Sequence, residues 1–223
     1  MRKLVANTFV TVDGVMQSPG GPQEDPSDGF GEGGWLPPYV DATFDDFVLD
    51  VHLRAEAVLF GRMSYQILAS HWPRVSNDDP IARMLNTVPK YVASRTLQTV
   101  EWNNSTLLTG DIAAAVTDLK RRPGGDILVI GSGNLVQTLL RHDLIDVFHL
   151  VVFPVLLGRG KRLFAEGTVP AALTLTHTRT SATGVVIHTY ERAGDVPHGS
   201  FLLEDQRDDQ RDDQPGRHPA NTE

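Results

Sequence analysis

Ile127-Leu128-Val129-Ile130-Gly131-Ser132-Gly133-Asn134 is the stretch on which the reading of the fold turns. A buried strand, Asp126–Ile130, runs into a Gly-x-Gly turn. Behind the turn, Leu135, Val136, Leu139 and Leu140 recur at the spacing of one helix face. Glycines let backbone N–H groups come close to a ligand, and a helix N-terminus favours an anion, so the turn suits a pyrophosphate. Two familiar motifs do not fit. The dinucleotide fingerprint needs a third glycine where Val136 stands and an acid about 20 residues on, where position 151 is Val. The Gly-x-Ser-x-Gly nucleophile elbow needs a glycine where Ile130 stands. A tight turn and a phosphate site both remain open at this point.

The same strand–turn–helix grammar recurs on either side. Ala57–Phe60 is a short apolar strand that ends in Gly61-Arg62-Met63-Ser64 and opens a helix over Met63–Ala69. Tyr91–Ala93 ends in Ser94-Arg95-Thr96, two hydroxyls around a guanidinium, a set that can hold a phosphate monoester through charge-assisted bonds. Ligands of such sheets lie beyond the carboxyl ends of the strands. One pyrophosphate site, one extra phosphate site and a helix N-terminus together suggest NADPH. The bland readings are Ser64 as a helix cap and Arg95 as a solvated charge.

Further strands are expected at Leu4–Val10, Thr106–Leu108 and Val147–Phe153. Val40, Phe44, Phe47, Val48, Val51 and Ala55 mark one helix face. Asp79–Thr87 reads as another helix, and Asp111 as the cap of one carrying Ile112, Ala115, Val116 and Leu119. Near the end, Leu173, Leu175 and His177 alternate with threonines, and Val185–Tyr190 follows a Thr183-Gly184 turn, which predicts a hairpin. The fold class is α/β: a mixed, mostly parallel central sheet flanked by helices, closed by a C-terminal antiparallel hairpin.

Composition narrows the function. The chain has 223 residues, no cysteine and a formal charge of −8, with pI near 5.4. Zero Cys excludes a disulfide scaffold, a thiolate zinc site and a cysteine nucleophile, and the eight His show no zinc-ligand spacing. The acidic balance argues against a nucleic-acid partner. Val147–Gly158, interrupted by His149 and Pro154, is shorter than the ~18 residues of a membrane span. No apolar leader follows Arg2 and Lys3, so a cytoplasmic location is expected. Residues 193–223 hold the tetrad repeat Gln206-Arg207-Asp208-Asp209, Gln210-Arg211-Asp212-Asp213 and read as a disordered acidic tail, leaving one domain over residues 1–192. Pro19–Pro38 carries six Gly and five Pro in twenty residues. It reads as a lid anchored by Trp35 or as a surface insertion.

The order of motifs resembles the dihydrofolate-reductase-like superfamily, and within it the reductase domain of the bifunctional riboflavin-biosynthesis deaminase–reductase. The residues that carry the resemblance are Thr11-Val12-Asp13-Gly14, Phe60–Tyr65, Lys90–Arg95, Asp126–Leu135 and Phe153–Phe164, the last with its Pro-Val-Leu-Leu-Gly-Arg-Gly run ending in Leu163-Phe164. The resemblance spans about Arg2–Arg192. It implies NADPH across the sheet. Gly61, Arg62, Met63, Ser64, Ser94, Arg95 and Thr96 would lie near the adenosine phosphates. Ile130, Gly131, Ser132, Gly133, Asn134 and Leu135 would lie at the pyrophosphate, and Asn7 and Val15 at the nicotinamide. It also implies hydride transfer to a small heterocycle such as a pterin or aminopyrimidine, and a possible homodimer. The alternatives are a dihydrofolate reductase, a promiscuous imine or carbonyl reductase, or a nucleotide-binding protein without catalysis.

The match has gaps. The deaminase's zinc motif is absent, and Tyr65–Trp72 replaces the riboflavin reductase's substrate segment. Trp35-Leu36-Pro37-Pro38 stands before Asp41, one residue further along than in folate reductases. Asp13 and Asp41 are the candidate catalytic carboxylates. Their bland readings are a side chain bonding its own turn and a helix-start charge. Arg159, Lys161 and Arg162 form a cationic loop that either contacts a phosphate or is solvated.

Overall fold

The computed structural model describes residues 1–164 and 166–201. The chain runs β1 (Leu4–Thr11), α1 (Ala42–Arg54), β2 (Ala55–Gly61), α2 (Arg62–His71), α3 (Pro80–Thr87), β3 (Lys90–Ala93), β4 (Ser105–Leu108), α4 (Ile112–Arg121), β5 (Asp126–Ile130), α5 (Gly133–Arg141), β6 (Val147–Phe153), β7 (Leu173–Thr180) and β8 (Val186–Arg192). The strands form one sheet in the order β4-β3-β2-β5-β1-β6-β8-β7. The first six in that order are parallel, and β8 and β7 add on antiparallel. This is the expected mixed sheet with its closing hairpin. No described helix is long and apolar enough to cross a membrane.

β1 lies between β5 and β6 and is buried along almost its whole length, its polar Asn7, Thr8 and Thr11 included. On one face Leu4, Ala6, Leu59, Ile127 and Val129 pack against α4 and α5 through Val116, Leu119, Val136 and Leu139. On the other, Val5, Val58, Phe60, Val92 and Leu128 meet Val51, Tyr65, Met84, Leu85 and Trp102. A third cluster gathers Trp35 and Phe44 over Val151, Phe153 and Ile187.

That third cluster ends at β8. Every residue of β7 is exposed, Leu173 and Leu175 included. Alternation along β7 predicted a hairpin strand, which is what forms. Apolar cover for the sheet stops one strand short, so the alternation marks strand geometry and not burial. Residues 202–223, with the tetrad repeat, lie outside the described residues. Ala193 and Gly194 still pair with Ala172 through their backbones, extending the hairpin by one step.

Candidate nucleotide cleft

The helices of this fold begin in two different ways. Asp79 caps α3, accepting from Ile81 N at 2.8 Å and Ala82 N at 2.9 Å. Asp111 caps α4, accepting from Ala114 N at 3.1 Å. Helices α2 and α5 begin at Gly61 and Ser132, and neither has a side-chain cap. Each leaves its first-turn N–H groups, and the positive end of its dipole, without a protein partner from a capping side chain.

These two bare ends are tied to each other. The Ser132 hydroxyl accepts from Gly61 N at 2.8 Å and donates to Ser64 Oγ at 2.7 Å. A side chain at either glycine would crowd this junction. A Cβ at Gly61 would stand 3.1 Å from Ser132 Oγ, and one at Gly131 would stand 3.1 Å from Ser64 Oγ. Gly131 and Ser132 both adopt left-handed backbone, at φ +61° and +65°, so the turn costs strain at the serine. A Cβ at Gly133 would meet Met16 Sδ at 2.9 Å.

Around this junction opens a cleft of about 940 Å³. Its wall includes Gly61–Ser64, Ser94–Thr96 and Ile130–Leu135, together with Asn7. Fourteen of the fifteen residues expected at the cofactor thus share one wall. Arg95 and Thr96 are exposed on it, whereas the Ser94 hydroxyl is taken up inside its own turn, accepting from Thr96 N at 3.2 Å and Leu97 N at 3.0 Å. Asn7 is only 3% exposed and its Oδ1 has no hydrogen-bond partner. A buried acceptor left this way is costly unless a ligand N–H reaches it. Bare helix ends, glycines at which a side chain would crowd its neighbours and an orphaned amide all fit a phosphate-bearing dinucleotide.

Val15 is the exception. It is fully buried, bonded both ways to Thr11 and bridged to Arg162, and does not line the cleft. Met16 and Gln17, one and two residues on, do.

Both expected catalytic carboxylates lie off the cleft wall, and each is held by backbone amides. Asp13 accepts from Thr11 Oγ1 at 2.6 Å, Gly158 N at 2.8 Å and Leu157 N at 3.3 Å. The Thr11 hydroxyl, with the Gly158 and Leu157 amides, holds its carboxyl low, at about 2, so it pins the β1 turn to the loop after β6 as a carboxylate. Asp41 caps α1 through Phe44 N at 3.0 Å and accepts from Ala182 N at 2.8 Å, fastening the β7–β8 turn. The Phe44 amide, with Ala182, lowers its pKa.

The Gly/Pro-rich segment is strapped down at several points. Trp35 lies in the core, edge-on to Phe153 at 5.3 Å, with its indole N–H donating to Gln17 O at 2.8 Å. It therefore does not stand over the cleft as a lid anchor would. Gln17 Nε2 donates to Asp25 O at 2.9 Å and Ser27 O at 3.0 Å. The cationic loop is a clasp on this segment: Lys161 pairs with Asp25 at 2.7 Å, and Arg159 with Glu32 at 3.4 Å.

Sequence reasoning missed Gln17, Glu24 and Asp25 as parts of the cleft wall, while Lys161 and Arg162 of the cationic loop do line it. The available signal was a polar run, Gln23-Glu24-Asp25, inside a Gly/Pro segment in a chain with an unassigned cationic loop.

The family profile described as the RibD C-terminal domain matches residues 2–187. The uncharacterized protein YyaP of Bacillus subtilis (strain 168) is 30% identical over 198 residues, covering 86% of this chain and 96% of its own. A solved protein of Shewanella sp. PV-4, whose name assigns it to riboflavin biosynthesis, superposes with a TM-score of 0.63 at 23% identity, over 86% of this chain and 99% of that one. Dihydrofolate reductase from Enterococcus faecalis, solved with NADP(H), superposes with a TM-score of 0.54 at 13% identity, over 85% and 96%. These two likenesses establish the shared fold. With the profile covering nearly all of the described body, the chain belongs to the RibD C-terminal domain family.

Proposed function

We propose that this chain is an NADPH-dependent reductase that transfers hydride to a pterin, an aminopyrimidine or a similar small heterocycle. In this it resembles the 5-amino-6-(5-phosphoribosylamino)uracil reductase of riboflavin biosynthesis. The observation that carries the reading is the pair of uncapped helix starts, α2 and α5, bonded together through Ser132 at the mouth of one cleft.

In this reading the first-turn amides of α2 and α5 hold the pyrophosphate, and Gly133 gives it access to the backbone. Arg62 and Arg95, with Thr96, face the phosphate on the adenosine ribose. Asn7 offers its free Oδ1 deeper in the cleft. When bound, the cofactor supplies the hydride. The chain's share is to bind, to align donor and acceptor, and to keep water away from the reacting atoms.

Calorimetry with NADPH and NADH tests the reading directly. A charge-assisted bond from Arg95 contributes roughly 1.5–3 kcal/mol, or about tenfold to a hundredfold in affinity. The wild type should prefer NADPH, and Arg95→Ala should lose that margin for NADPH while leaving NADH nearly unchanged. Equal loss for both, or no binding of either, would reject the assignment.

A further inference from the structure

Reduction of a C=N bond needs a proton as well as a hydride, and the cleft wall offers few groups to provide one. Three carboxyls stand on it: Glu24, Asp25 and Asp111. Asp111 is committed as the cap of α4. Asp25 is ion-paired with Lys161 at 2.7 Å and bonded by the Ser27 hydroxyl at 2.5 Å. Burial opposes its charge, but these bonds together outweigh burial and hold its pKa below the ordinary carboxylate value. Glu24 has no cation paired with it among the described residues.

Resting on the reductase reading above, we propose that Glu24 is the proton donor: the cleft carboxyl that protonates the substrate nitrogen while the adjoining carbon accepts hydride. As the hydride bonds to carbon, the C=N π pair moves onto nitrogen and takes the proton from the Glu24 carboxyl O–H. The carboxylate left behind recovers a proton from water.

Geometry holds Glu24 in place for this role. Gly20 N donates to its Oε2 at 2.6 Å, an approach that a Cβ at Gly20, 3.1 Å from that oxygen, would crowd. The neighbouring Asp25 N is fixed to Ser18 Oγ at 2.6 Å. Burial raises the Glu24 pKa and outweighs the Gly20 and Gly21 amides that lower it, with Asp25 adding to the rise. The other charged groups of the wall are Lys161 and Arg162 after β6, Arg62 and Arg95 at the starts of α2 and of the β3 turn, Asp111, and Arg141 and His142 at the end of α5. Asn7, with its unpartnered buried Oδ1 on the same wall, marks a place for a ligand N–H.

The experiment compares the full-length wild type with Glu24→Gln and Glu24→Asp. Carbon-13 carboxyl shifts are titrated with and without NADP⁺, and NADPH-dependent reduction of 7,8-dihydrofolate and of 1-pyrroline is followed between about pH 5 and 9. NADPH affinity is measured by fluorescence. The Glu24 carboxyl should titrate above the ordinary value of 4.5. Turnover in the wild type should fall as Glu24 loses its proton. Glu24→Gln should slow turnover by about a hundredfold or more and flatten that limb, with NADPH affinity held, and Glu24→Asp should restore part of both. A Glu24→Gln protein that keeps the wild-type pH profile, slowed or not, overturns the proposal. If the wild type binds NADPH but reduces neither probe, the carboxyl titration decides. A Glu24 midpoint at or below 4.5 with NADP⁺ bound overturns the role, and one above it supports it. Failure of the wild type to bind NADPH would instead sink the reductase reading itself.

Discussion

Helices α3 and α4 start under an aspartate, whereas α2 and α5 start bare. The capped ends serve stability: a side chain satisfies amides that would otherwise need water. The bare ends sit side by side at the carboxyl ends of β2 and β5, neighbours in the sheet, and are bonded to each other through Ser132. A fold that caps its other helices and leaves these two open keeps donors available for an anion, at some cost in stability. The same contrast separates the carboxylates. Asp13, Asp41 and Asp79 lie off the cleft wall and each accepts from two backbone amides, while Asp111 and Glu24 stand on the wall, Asp111 as the cap of α4 and Glu24 with the Gly20 amide bonded to it.

Four substitutions would break or sharpen this contrast. The largest effect is expected from Gly133→Val at the start of α5. The new side chain must displace Met16 and would push a pyrophosphate off the amides, so NADPH affinity should fall by more than about a hundredfold. Circular dichroism should stay unchanged, because Gly133 already has backbone angles open to other residues. Unchanged affinity in a folded variant would reduce the turn to a structural one.

Ser132→Gly suits the left-handed backbone while deleting the hydroxyl that joins the two starts. Fluorescence titration should give about a tenfold weaker NADPH complex, with the melting temperature moving little because relief of strain offsets the lost bonds. Full affinity would show that the two ends bind independently.

At a capped end the pattern should invert. Asp79→Ala should cost about 1 kcal/mol, a drop of roughly 2–4 °C in melting temperature, with NADPH affinity untouched. Weakened binding there would mean that the distinction between the two kinds of helix start is false.

The smallest effect concerns acid. The folded pKa of Asp41 lies below its ordinary 3.8, chiefly through the Phe44 amide. The group therefore contributes stability above that value, and the contribution is lost as pH falls below it. Asp41→Asn keeps an acceptor for Phe44 and Ala182 but does not titrate, so thermal melts of the variant should flatten on the acid side. An acid limb identical to wild type would remove Asp41 from the account.

Much of this was legible in the residue pattern. The strands and helices were readable because apolar periodicity survives in a single sequence: the α5 face over Leu135–Leu140 and the strand Asp126–Ile130 required no partner to be recognised. The carboxylates were not. Asp13 beside Gly14 looks the same whether it waits for a substrate or bonds Gly158, 145 positions away. Glu24 was invisible for the opposite reason, since a Gly/Pro segment has no period from which to infer a facing wall. The chain's own residues determined which segments fold locally and where glycine lets backbone approach backbone. Only tertiary structure decided which helix starts meet, which acids are consumed as fastenings and which face the cleft. Those outcomes depend on hydrogen bonds between positions tens to more than a hundred residues apart, such as Gly61 to Ser132 and Asp25 to Lys161, and local preference does not encode them.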